Sequence, residues 1–186
     1  MKRALSLLLI VFLFAGCSGS GSEMDGILAF REKLLQSKSV SFDAKITADY
    51  GTEVHTFSMK CSQEQSGEMR FSVTEPETIS GIAGSIKDAE GQLTFDDKVL
   101  AFQLLADGLI TPVCAPWLLC KALRSGYISS CGKDADLIRV GIDDSFQGET
   151  LRVDLWLNQD HIPVRGEILW KGRRIMSVDV HNLNFV

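Results

Sequence analysis

The side chains able to do covalent, metal or proton chemistry are few: five cysteines and three histidines in 186 residues. His55, His161 and His181 stand far apart, without the short spacing that brings two imidazoles to one metal. His55 is expected on the apolar face of a strand as a structural imidazole, and His161 in the polar turn Asn158 to Pro163. The acidic pairs Asp96-Asp97 and Asp143-Asp144 read as turn residues whose carboxylates satisfy local backbone donors. Cys61, Cys114, Cys120 and Cys131 contain no Cys-x-x-Cys and only one short spacing, which disfavours a redox dithiol and a four-thiolate zinc site. Phosphate-binding glycine loops, His-Glu-x-x-His and Gly-x-Ser-x-Gly are absent from the sequence. The expectation is a protein that is not an enzyme, with no cofactor and no metal.

Cys17 is different, because of what precedes it. Lys2 and Arg3 are followed by Ala4 to Ala15, an apolar run interrupted only by Ser6, and then by Gly16. The run is short for a membrane span, which takes about 20 apolar residues, and has the charge-then-apolar order of an export signal. Leu13-Phe14-Ala15-Gly16-Cys17 resembles the lipobox of bacterial lipoproteins. Small residues before the thiol leave the backbone open to a peptidase, and the thiol is where a diacylglyceryl thioether, with acyl chains of the palmitate kind, is built. By that resemblance residues 1–16 are a signal peptide and Cys17 is the lipidated mature N-terminus. Ser18 to Ser22 alternates Gly and Ser, so residues 17–24 read as a flexible tether and 25–186 as one folded domain. The chain carries 19 Lys plus Arg against 24 Asp plus Glu. Removal of the signal takes away two cations and no acid, so attachment rests on the lipid rather than on a basic surface, and nucleic acid is excluded as a partner. The implied location is extracytoplasmic, on the outer face of the cell membrane, or on an outer membrane where the organism has two.

Export makes disulfides admissible, and four thiols allow three pairings. The pairing expected is Cys120 with Cys131, returned side by side after a turn at Gly126, which leaves Cys61 with Cys114.

The domain reads as mainly antiparallel β. Ser22 to Asp25 can open a helix whose stripe is Ile27, Phe30 and Leu34, with Leu28 and Leu35 beside it. From Val40 the period becomes two, with Val40, Phe42, Ala44, Ile46, Ala48 and Tyr50 on one face, and His55, Phe57, Met59 and Cys61 follow after Gly51. Strands are expected at 68–74, 81–87, around Leu93 and Phe95, at Leu100, Phe102 and Leu104, and at 137–142, 151–157, 164–170 and 174–180. Pro116, Trp117, Leu118, Leu119, Ala122 and Leu123 make a central helix ending at Gly126. The expected fold is an incomplete, half-open β-barrel or strongly curved meander, with both helices covering its concave face.

Several phrases carry a family resemblance: Phe71 to Pro76 before Ile79 to Ile82, Leu93 to Asp97, Val153 to Leu157 before Ile162-Pro163, and Gly166 to Trp170. With the lipobox in front, the chain resembles the LolA/LolB superfamily of lipoprotein carriers and receptors, and more narrowly the LolA-like lipoproteins of clostridial type. The resemblance implies a concave apolar cavity that accepts the acyl chain of a lipid or of another lipoprotein. Phe42, Ile46, Phe57, Met59, Phe71, Trp156 and Trp170 are the residues expected to line it. Two features depart from a soluble shuttle: the chain's own anchor, and cysteines that could pin the central helix. The competing expectation is an envelope module, receptor or sensor, with a filled core and a protein partner.

Overall fold

The computed structural model describes residues 20–186 except 97, 104, 107, 108 and 147. Residues 1–19, with the signal-like segment and Cys17, lie outside the described residues, as do Asp97 and Leu104. Helix α1 (Ser20–Gln36) buries Ile27, Phe30 and Leu34 and turns Leu28 and Leu35 outward. It begins inside the segment expected as tether, so Ser20 to Met24 are helical rather than loose.

The strands are β1 (Ser39–Asp49), β2 (Val54–Glu64), β3 (Met69–Glu75), β4 (Ala83–Lys87), β5 (Glu90–Phe95) and β6 (Lys98–Gln103). A two-stranded ribbon of β7 (Leu105–Ala106) and β8 (Leu109–Ile110) leads into α2 (Ala115–Ser125). The chain closes with β9 (Tyr127–Asp134), β10 (Leu137–Phe146), β11 (Glu149–Leu157), β12 (Pro163–Trp170) and β13 (Arg173–Phe185).

Eleven strands form one sheet in the order β6-β5-β4-β3-β2-β1-β13-β12-β11-β10-β9, every neighbouring pair antiparallel. The last strand returns to pair with the first, and β6 and β9 are left as edges. The sheet curls. Helix α2 packs against both β2 and β10, which are five strand spacings apart in this order, or about 24 Å in a flat sheet. A helix about 10–12 Å across reaches both only where the sheet wraps around it. The half-open architecture expected from the sequence is the one found.

Alternation decides what faces the helices. Val40, Phe42, Ala44, Ile46 and Ala48 of β1 are buried, as are Phe57, Met59 and Cys61 of β2 and Leu151, Val153, Leu155 and Leu157 of β11. Helix α2 has proline in its first turn and ends at Gly126, whose N–H donates to the Ala122 carbonyl. The Arg31 guanidinium of α1 donates to the carbonyls of Leu123 at 2.6 Å and Gly126 at 2.9 Å, satisfying acceptors that the helix end leaves open. The helix lies close to the sheet at Gly166, where a Cβ would come within 2.2 Å of Leu119 Cδ1.

Two expectations about polar residues are corrected. His55 sits at the exposed end of β2, 3.2 Å from the Glu53 carboxylate, so its strand face is not covered there. Asp143 and Asp144 lie within β10 rather than in a turn, and face Arg152 and Lys121 respectively.

Candidate functional site

The residues expected to line a cavity separate into three groups. Phe42, Ile46, Phe57, Met59 and Phe71 are at most 7% exposed and belong to one packed core. Beside Phe42, among Phe30, Leu119, Cys120, Leu123 and Val180, the space left is only about 10 Å³, room for about one water molecule and far too little for an acyl chain. Trp156, expected as cavity lining, lies on the outer face of the sheet, away from the concave side. Its neighbours Leu155 and Leu157 point inward, so the strand period sends the indole out. There its Nε1–H donates to Asp134 at 2.7 Å, and the guanidiniums of Arg139 and Arg165 lie over the ring at 5.3 and 5.6 Å. Trp170 is half-buried at a strand end beneath Lys171.

Open space lies on the other flank of α2. A cleft of about 570 Å³ runs between the helix, the β2–β3 turn, the β4–β5 turn and the end of β10. That volume falls within the range of about 300–1,000 Å³ usual for small-molecule sites. Trp117 and Phe146 form its aromatic wall, stacked edge-to-face with centroids 6.1 Å apart, and Leu35 of α1 and Ala89 add apolar surface. Another cleft, about 640 Å³, runs along Glu32, Lys33 and Lys38 but has no aromatic wall.

The cleft is framed by polar bolts. Lys121 Nζ meets Asp144 Oδ2 at 2.5 Å and the Ser145 carbonyl at 3.1 Å, tying α2 to β10. Arg124 donates to the Gln65 carbonyl at 2.6 Å, tying the same helix to the β2–β3 turn. Arg124 forms no ion pair with a carboxylate among the described residues, and Asp88 of the β4–β5 turn is another residue of the cleft lining. The cleft also contains Gln63, 2% exposed, whose Oε1 lacks a hydrogen-bond partner. Gln63 continues the inward series Phe57, Met59, Cys61 of β2 by one more step of two. That alternation is the signal by which the sequence could have disclosed it.

All four cysteines of the domain are free thiols, which corrects both expected pairings. Cys120 points from α2 into the core beside Phe42, whereas Cys131 is half-buried on β9 at the sheet edge, near Glu23 of α1. Cys61 lies within electrostatic reach of Cys120, and Cys114 within reach of Tyr50. Burial pushes the Cys120 thiol up to about 12 and holds Cys61 and Cys114 well above the usual thiol value, so none of the three is a ready nucleophile. Burial, with the Cys114 thiol beside it, also raises the Tyr50 hydroxyl to about 12, and that hydroxyl donates to the Ile110 carbonyl. Among the described residues no cluster of His, Cys, Asp and Glu has the arrangement of a metal site.

No family model and no curated protein matches the chain. Solved structures do match. A DUF1329-family protein from Desulfovibrio piger is 10% identical with a TM-score of 0.50, covering 91% of this chain and 94% of that one. A LolA superfamily protein from Nitrosomonas europaea is 11% identical at a TM-score of 0.46, over 91% and 94% of the two chains. The Mycobacterium tuberculosis lipoprotein LppX is 11% identical at 0.42, over 88% and 93%. At these identities the likeness is one of fold. What the chain shares with the DUF1329-family structure is its architecture, an open antiparallel sheet with helices on one face.

Proposed function

We propose that this protein is a membrane-anchored extracytoplasmic lipoprotein, held by a lipidated Cys17, that takes up the acyl chain of a lipid or of another lipoprotein without chemical change. The observation that carries the reading is the cleft beside α2, whose Trp117, Phe146, Leu35 and Ala89 surfaces suit a chain that needs shape and apolar contact. The lipobox-like residues before Cys17 supply the anchor, and residues 1–16 the export signal. The anchor makes a stationary receptor a better fit than a diffusing carrier.

Two measurements test this. Mass spectrometry of the full chain purified from membranes should find a diacylglyceryl group on an N-terminal Cys17; an unmodified terminus elsewhere removes the anchor. Lipid extraction of the same material should return acyl-chain ligand at near one-to-one, beyond the covalent lipid. A second reading, an envelope module that docks a protein, is favoured by the edge strand β6, which pairs with β5 on one side only and leaves Val99 and Leu100 63% and 64% exposed. Absence of bound lipid, with no uptake of added acyl-chain probes, selects that reading.

A further inference from the structure

We infer that the cleft beside α2 recognises a lipid by its polar end as well as its chain, and that the head it takes combines one phosphate anion with a hydroxyl donor, the chemistry of a phosphatidylglycerol. The inference rests on the acyl-binding reading and specifies the other half of the ligand.

Three features of the cleft define that head. The first is the Gln63 side chain, 2% exposed, with Nε2 donating weakly to the Gly67 carbonyl at 3.4 Å and Oε1 left without a donor. Exchanging the amide's oxygen and nitrogen would set oxygen against the Gly67 carbonyl, so an unmet acceptor is what the site presents. A buried acceptor of this kind is costly unless something donates to it, and a ligand hydroxyl does so. The second is Arg124, which spends one N–H on the Gln65 carbonyl and faces no carboxylate partner among the described residues. Its remaining N–H groups match a phosphate. Lys121 is different, because Asp144 at 2.5 Å already neutralises it. The third is Asp88, which lines the cleft from the β4–β5 turn, disfavours a second negative charge and can accept from a second hydroxyl. Beneath them the Trp117 and Phe146 wall leaves a place for the chain. A choline head would find Asp88 but offers Gln63 no donor.

The test uses the full chain carrying Cys17→Ser, titrated calorimetrically with dihexanoyl-phosphatidylglycerol, dihexanoyl-phosphatidylcholine and glycerol 3-phosphate, the lipids kept below their micelle concentrations. The expected result is at least tenfold tighter binding of phosphatidylglycerol than of phosphatidylcholine, with glycerol phosphate weaker than either. Gln63→Leu and Arg124→Gln should each cut that preference to threefold or less, and Arg124→Lys should keep part of it. Gln63→Leu removes a buried unmet acceptor and should melt no lower than the parent, so it carries the test even if Arg124→Gln perturbs the β2–β3 turn. Equal binding of the two lipids overturns the assignment of the head and leaves the acyl-binding reading standing. Binding of neither lipid overturns both. Glycerol phosphate binding as tightly as phosphatidylglycerol assigns the cleft to a free phosphate ester and also overturns both.

Discussion

Helix α2 has two flanks, and they meet the sheet differently. On one, Leu119, Cys120 and Leu123 press against Phe30, Phe42 and Val180 and leave about 10 Å³. On the other, Trp117, Lys121 and Arg124 border a cleft of about 570 Å³. Both flanks are rich in apolar atoms, so hydrophobicity alone does not separate core from binding surface. What separates them is the length of the opposing strands. Phe42 and Val180 come from the middle of long paired strands, whereas the far side of the cleft is made of turns and strand ends, which cannot fill space layer upon layer. The closed flank holds the helix in place; the open flank is where the acyl-binding proposal puts its ligand.

The sharpest way to break this comparison is truncation on the closed flank. Phe42→Ala removes a ring from a site with almost no free space, and denaturant unfolding should show a loss of about 3–5 kcal/mol. A loss below about 1 kcal/mol would mean that the core flank is as loose as the cleft. The next effect is electrostatic. Cys61, Cys114 and Cys120 have their thiols raised by burial, while an unfolded chain ionises thiols from the ordinary value of 9.0 upward. The unfolded state then binds fewer protons than the folded one, so stability is full below pH 9 and falls as pH rises toward about 12. The slope should be on the order of 1 kcal/mol per pH unit for each thiol, read from unfolding curves between pH 8 and 11. A flat profile would show that these thiols are not shut in the core. In the native state, alkylation should reach half-buried Cys131 first and spare the other three.

A smaller effect is expected from filling the close approach between α2 and β12. Gly166→Val places carbon within 2.2 Å of where Leu119 Cδ1 now sits. Because Leu119 can change rotamer but not leave the core, the cost should be about 1–3 kcal/mol. The double variant Gly166→Val with Leu119→Ala should recover part of it, since the added and removed atoms share one space.

The strand pattern was legible because alternation is long and regular where both sheet and helices bury one face. β1 reads almost residue by residue from Val40 to Ala48. β9 was missed because Tyr127 to Asp134 is an edge with Tyr127 exposed, Ser129 and Ser130 polar, and little alternation to see. The lining expected of a cavity at Phe42, Ile46, Phe57, Met59 and Phe71 is packed core: the large inward residues of the mid-strands meet helix side chains and close, an outcome that depends on how tightly the sheet curls. The period of β11 alone puts Trp156 on the face opposite Leu155 and Leu157, so its aromatic identity is no guide to a cavity on the concave face. The cysteine pairs failed for a similar reason. Chain order sets Cys120 near Cys131, but the curl brings it near Cys61 of β2, six strand positions from β9 in the sheet.

The smallest expected effect tests the open flank directly. Leu35 projects from the last turn of α1 toward the cleft and is 41% exposed, with no tight partner to lose on truncation. Leu35→Ala should therefore shift stability by no more than about 0.5 kcal/mol, as at other exposed positions. The same substitution strips apolar surface from the wall against which an acyl chain would lie. Each buried methylene is worth about 0.8 kcal/mol, so even a partial loss should weaken binding of dihexanoyl-phosphatidylglycerol about threefold or more. Unchanged melting with weakened binding is the signature of a ligand wall. Lowered melting with unchanged binding would instead make Leu35 part of the packing and move the ligand elsewhere.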